Sequence, residues 1–198
     1  MTLPPLGPHL PARGNRFSRG VGRWLLRRLG WRFDGALPDV AKAVLIVAPH
    51  TSNWDFVVGV GAMLGLGLRI AWLGKHTLFR GPLGGAMRWL GGMPVDRAKA
   101  GGIVEQTVAA FARHERFLLG LAPEGTRSKV ARWRRGFYHI ALGAGVPIVP
   151  VAFDYARRAI VVGAPLRASG RWDDDARALA EFYRAAVGKN PERATLVP

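Results

Sequence analysis

Ala43-Val44-Leu45-Ile46-Val47-Ala48-Pro49-His50-Thr51-Ser52-Asn53-Trp54-Asp55 is the stretch from which the rest of the chain can be read. Its first six residues are short, rich in β-branched side chains and apolar at every position. A strand that is apolar on both faces belongs inside a largely parallel sheet covered by helices. Pro49 ends the run, and a histidine and an aspartate follow where ligands gather in such sheets, beyond the carboxyl ends of the strands.

The same signature recurs along the chain. Residues 69–73, 117–121 (FLLGL) and 160–162 read as further strands, as do residues 147–153 (PIVPVAF). Pro150 inside the last of these predicts a position near a sheet edge or a bulge, because proline cannot donate to a ladder. Between the strands lie helical patterns. Residues 56–68 are apolar and glycine-containing, residues 82–90 open on a proline, and residues 103–114 place Ile103, Val104, Val108 and Phe111 on one side. Residues 134–143 form another, and residues 173–187 begin on three carboxylates suited to a helix's positive end. Strands alternating with helices predict an α/β fold, a single domain whose mostly parallel sheet is flanked by helices. Trp72 and Trp89 are expected in the core, and Trp133 is open to lipid contact.

With 198 residues the chain suffices for one domain with a real core. Its 49% hydrophobic content excludes a disordered polymer. Against 29 Lys and Arg stand only 13 Asp and Glu, a formal charge of +16. Such a field attracts polyanions, either nucleic acid or anionic lipid headgroups. The absence of cysteine excludes disulfides, zinc-thiolate centres and thiol nucleophiles. No apolar run reaches the roughly 18–20 residues that span a bilayer. The proline-rich start does not read as a signal peptide, so a cytoplasmic protein is expected.

Residues 13–32 hold seven arginines and no acid, with Phe17, Val21, Trp24, Leu25 and Leu29 near helical spacing. This composition fits a basic amphipathic helix at a membrane interface, and it equally fits an amphipathic helix packed on the domain. The two readings are compatible.

Three segments carry candidate chemistry. His50 and Asp55, five positions apart across a turn, can pair so that the carboxylate fixes the imidazole tautomer and leaves the other nitrogen as a base. The alternative is that Asp55 only caps the next helix. Ser52 could be a nucleophile, although nothing positions it as one. Residues 122–128 offer a glycine, a hydroxyl and a guanidinium at the same sheet end, a cradle for phosphate or an oxyanion, or else an ordinary polar turn. Residues 92–97 are a short β-like piece ending in Arg97.

Together these segments resemble the glycerophospholipid acyltransferase family, which includes the lysophosphatidic acid acyltransferases. His50 to Asp55 matches its His-x4-Asp block, and residues 123–127 match its Pro-Glu-Gly-Thr-Arg block letter for letter. Residues 92–97 resemble its intermediate block, and residues 146–151 (VPIVPV) its last. The resemblance implies His50 as general base and Asp55 as its orienting partner. It implies Glu124, Gly125, Thr126 and Arg127 as an acceptor-binding loop, Arg97 as a second anion ligand, and Lys75 as a further binding residue. It also implies acyl-CoA or acyl carrier protein as co-substrate, with no cofactor or metal. The acceptor would be a lysolipid hydroxyl: lysophosphatidic acid by default, another lysolipid or a lyso-aminolipid as alternatives. In that frame residues 1–34 are a basic membrane-interface segment and residues 35–198 the acyltransferase domain, at the cytoplasmic face of an anionic membrane. A Lys75-His76-Thr77-Leu78 segment stands where the family often has an acid two residues after the lysine. A hydrolase, a non-catalytic lipid-binding relative and a nucleic-acid-binding module are the rival readings; buried apolar strands argue against the last.

Overall fold

The computed structural model describes residues 3–95 and 102–195. The elements run α1 (Arg16–Arg28), β1 (Arg32–Asp34), β2 (Lys42–Ala48), α2 (Trp54–Leu66), β3 (Ile70–Lys75), α3 (Leu83–Trp89), β4 (Gly92–Val95) and α4 (Gly102–Arg113). Then come β5 (Phe117–Leu121), α5 (Gly136–Ala144), β6 (Ile148–Asp154), β7 (Ala159–Val162) and α6 (Trp172–Tyr183), with short 3-10 turns at His76–Phe79 and Pro191–Arg193. Among the described residues the strands form one seven-stranded sheet in the order β1-β7-β6-β2-β5-β3-β4. The five strands from β6 to β4 are mutually parallel, while β7 runs antiparallel to β6 and carries β1 parallel beside it.

β2 lies near the middle of this sheet, and alternation sends its side chains to both faces. Val44, Ile46 and Ala48 pack with Phe111 of α4, Ile140 of α5 and Leu179 of α6. Ala43 and Leu45 pack with Leu66 and Leu68 on the opposite face. Helices therefore cover both sides, which is the condition under which an all-apolar strand is stable. No aromatic-and-basic sheet face of the kind that reads RNA is presented among the described residues.

Two expectations change. β6 is an interior strand although it contains Pro150. It pairs with β2 over Ile148 to Ala152, but with β7 only from Val151 onward. Pro150 thus precedes the β7 ladder, so no donor is missed there. The tryptophan assignment also reverses. Trp89 ends α3 at 56% exposure, whereas Trp133 is 2% exposed, its indole N–H donating to the Thr195 carbonyl at 2.6 Å. Trp72 is half-buried, its ring edge-on to Phe56. β1 has no apolar run to announce it and joins the sheet edge through β7 alone.

α1 begins at a reciprocal cap, in which the Asn15 side chain accepts from the Ser18 N–H and the Ser18 hydroxyl accepts from the Asn15 N–H. Arg27 and Arg28 stand in the last turn, where positive charge meets the helix's negative end. The helix is packed onto α2 at glycines: a Cβ on Gly22 would stand 2.2 Å from the Gly65 backbone nitrogen. Leu26 is buried on that inner side, whereas Phe17 is 79% and Trp24 62% exposed on the outer one. Val21 lies between them and is also exposed.

Candidate active site

His50 and Asp55 sit where β2 gives way to α2, at the carboxyl end of the sheet. His50 Nδ1 lies 3.1 Å from Asp55 Oδ2. The same oxygen accepts the N–H groups of Thr51 at 2.9 Å and Ser52 at 3.0 Å, and Oδ1 accepts the Tyr155 hydroxyl at 2.6 Å. Asp55 is buried in the first turn of α2, where a carboxylate suits the positive end of the helix. With Nδ1 engaged, Nε2 is the nitrogen left for a substrate, and His50 borders the adjoining cavity. Ser52 is not poised as a nucleophile, since its hydroxyl accepts the Trp54 N–H at 3.2 Å at the helix start.

The loop after β5 converges on this pair. Glu124 is turned inward, and both carboxylate oxygens accept the His50 backbone N–H at 3.0 Å. Burial pushes its carboxyl up to about 7, against the lowering pull of that N–H and of His50. Gly125 adopts φ 68°, a left-handed conformation that glycine takes without strain, and the Arg134 side chain lies across it. Gly125, Thr126 and Arg127 border the cavity beside His50, together with Arg134 and Arg193. Glu124 therefore supports the histidine from behind, while Gly125, Thr126 and Arg127 face the cavity.

The cavity, about 960 Å³, adjoins this basic mouth and is lined by residues of α2, α4, α5 and the sheet. Its walls are apolar, with Val47 and Leu45 from β2 and Met63 from α2. It is open partly because Gly59 and Gly120 line it without side chains: a Cβ on Gly59 would meet only Phe153, and one on Gly120 would meet the Ile70 side chain at 3.2 Å. A large, mostly apolar cavity bordered by a histidine and several guanidinium groups can take a molecule with a hydrocarbon tail and an anionic head.

Of the remaining sequence candidates, Lys75 closes β3, in register with Val95 at the same end of the sheet. Arg97 lies outside the described residues. Lys129, Arg132 and Arg135 are exposed, Arg135 with its guanidinium 4.8 Å from the Trp172 ring. His76 and His139 are on the surface, and His114 donates its Nδ1 proton to the Ala110 carbonyl at 2.8 Å, stacked on Phe117.

Three contributors escaped sequence reasoning because they arrive from far along the chain. Tyr155 follows β6 by one residue. Asn190 binds the motif loop twice, its N–H donating to the Thr51 hydroxyl at 3.1 Å and its side-chain amide to the Thr51 carbonyl at 2.9 Å. Thr195 accepts the Val130 N–H at 2.9 Å and holds the second loop. Only Tyr155 carried a usable signal, a polar aromatic just past a strand's carboxyl end.

A family model described as Acyltransferase matches residues 19–154. The chain is 30% identical over 154 residues to a 1-acyl-sn-glycerol-3-phosphate acyltransferase of Escherichia coli (strain K12), covering 73% of this chain and 61% of the relative. It is 26% identical over 194 residues to a protein of the same description from Haemophilus influenzae, covering 85% of this chain and 79% of that one. Among solved structures it superposes on the 1-acyl-sn-glycerophosphate (LPA) acyltransferase PlsC from Thermotoga maritima with a TM-score of 0.58 at 19% identity, over 88% of this chain and 81% of that one. The chain thus spans 61% of the length of the Escherichia coli relative.

Proposed function

The chain belongs to the acyltransferase family, and from that premise we propose that it moves a fatty acyl group from acyl-CoA or acyl carrier protein to the hydroxyl of a lysolipid such as 1-acylglycerol-3-phosphate. The observation that carries this reading is the His50–Asp55 pair at the mouth of an apolar cavity. The names of the relatives supply the acceptor class.

In the proposed reaction the acceptor hydroxyl gives its proton to His50 Nε2 as its oxygen attacks the thioester carbonyl. Asp55 holds the imidazole and balances the charge that it gains. The tetrahedral intermediate collapses, the C–S bond breaks, and the thiolate leaves with the proton from His50. No acyl-enzyme forms, and no metal or cofactor is required. The acyl chain occupies the cavity, and Arg127 with its neighbouring guanidinium groups receives the phosphate of the acceptor. Arg97 and Lys75 belong to the same anion-binding set in this reading.

The protein works at the cytoplasmic face of an anionic membrane in this proposal. No described helix is long and apolar enough to cross a bilayer. The outer stripe of α1, with Phe17, Val21 and Trp24 among arginines, is the docking face. Exposed Leu83 and Trp89 of α3 extend it, tied to the N-terminal segment by Arg13, whose guanidinium lies 4.6 Å from the Trp89 ring.

The deciding assay combines purified protein, a labelled acyl-CoA or acyl carrier protein, and a panel of lysolipids. Transfer is expected, and His50→Ala should lower it by about 10²–10⁴-fold or more without moving the thermal midpoint. Product formed independently of His50, or free fatty acid as the sole product, overturns the reading.

A further inference from the structure

We propose that Tyr155 is a positioning residue that holds Asp55 in the orientation in which it serves His50. This rests on the assignment of His50 as the base. Tyr155 lies one residue beyond the stretch matched to the family, and none of the sequence blocks includes it.

Asp55 has two carboxylate oxygens with unequal company. Oδ2 meets three groups, the imidazole Nδ1 and the N–H groups of Thr51 and Ser52. Oδ1 has a single partner among the described residues, the Tyr155 hydroxyl at 2.6 Å. The terminal torsion of an aspartate is soft and roughly two-fold, so a carboxylate held on one side alone can turn about its Cβ–Cγ bond. The Tyr155 hydroxyl closes that freedom. It also satisfies an acceptor in a buried carboxylate, where an unmet one is destabilising.

Tyr155 is itself fixed from three directions. Its N–H donates to the Val187 carbonyl at 2.8 Å, its ring meets Trp31 edge-on at 4.8 Å, and the Lys189 ammonium lies 5.7 Å from the ring centre. The phenol therefore comes to Asp55 from the end of the sheet, on a support built by Trp31 and by the segment that also carries Asn190 to Thr51. Burial and the adjacent carboxylate push the hydroxyl's pKa up, so it stays protonated at working pH. It acts as a donor throughout and does not compete with His50 as a base.

A hydrogen bond on Oδ1 also withdraws charge from the carboxylate and tempers its pull on the imidazolium. Removing it has two consequences that simple loss of packing does not. The pair loses its alignment, and the pull of Asp55 on the protonated imidazole changes.

The test is Tyr155→Phe, which removes one oxygen and leaves the ring against Trp31. With the lysolipid and acyl donor that the wild type turns over, kcat should fall about 10–100-fold, as when a partner that orients a functional side chain is removed. KM for both substrates should stay within about twofold, which assigns the loss to the transition state and not to binding. The acid limb of the pH–rate profile should move. In an Asp55→Asn background the same change should add little, because the two residues act through one contact. NMR titration of the His50 ring provides a readout that needs no turnover: its midpoint should differ between the wild type and Tyr155→Phe. An unchanged kcat and pH profile, with an unmoved midpoint, would overturn the proposal and leave Tyr155 a packing residue. If the wild type transfers no acyl group to any acceptor, the functional reading fails by itself, while the ring titration still decides whether Tyr155 acts on the pair.

Discussion

Replacing Glu124 by Gln should stabilise the fold at neutral and alkaline pH and leave it little changed in acid. Glu124 is buried against the His50 N–H, and its carboxyl titrates at about 7 in the fold against an ordinary value of 4.5. The fold thus prefers the protonated form. Below about 4.5 both folded and unfolded chains carry the proton, and Glu124 exerts no penalty. Between 4.5 and about 7 the unfolded chain releases its proton while the folded one keeps it, so stability falls as pH rises. Above about 7 the loss is complete. The gap, at about 1.36 kcal/mol per pH unit, amounts to about 3 kcal/mol. Gln keeps an oxygen for the His50 N–H and never ionises, so it escapes this loss. For a chain of this size about 3 kcal/mol corresponds to roughly 6–12 °C in Tm. The assay is denaturant unfolding of both proteins from about pH 4 to about pH 8 at fixed ionic strength, taking the difference so that other titrating groups cancel. A difference that stays flat, or that favours the wild type as pH rises, would refute the argument. It would mean that the His50 N–H outweighs burial and that Glu124 is ionised in the fold.

Two further outcomes follow from the N-terminal helix. Gly22→Val places a side chain against the backbone of Gly65, which no rotamer change relieves, so stability should fall by about 1–3 kcal/mol in thermal or chemical unfolding. Phe17→Ala with Trp24→Ala should leave the thermal midpoint in place and weaken binding to anionic vesicles, by about tenfold per side chain if each buries about 1.5 kcal/mol of apolar surface in the interface; unchanged sedimentation with the vesicles would exclude α1 from the contact.

The sheet was legible in the sequence because β2, β5 and β6 are buried on both faces, and such strands write continuous apolar runs. Pro150 misled for a local reason: proline marks a missing donor, and the β7 ladder begins one residue later. His50 and Asp55 could be paired from sequence because one turn joins them, and Glu124 could be placed at the same end of the sheet because its loop also follows a buried strand, which the structure sets directly beside β2. Glu124's inward direction could not be read, since its motif says nothing of which way a side chain faces. Tyr155 is 100 residues from Asp55, and Asn190 is 139 from Thr51, so only the completed topology brings them together. The cavity was equally hidden. Gly59 and Gly120 carry no sign of it in the sequence, and their missing side chains become a volume only once the fold sets both against the same cavity.

The contact at Gly22 has a mechanical consequence. Two backbones that approach this closely interlock, and α1 can neither roll about its axis nor slide along α2 without collision. The direction in which Phe17 and Trp24 point is therefore geared to the direction of α2, and α2 carries Asp55 in its first turn. A surface that captures α1 sets the tilt of the whole sheet above it, and with it the height of His50 over that plane. On such a surface the helix would act less as a tether than as a keel.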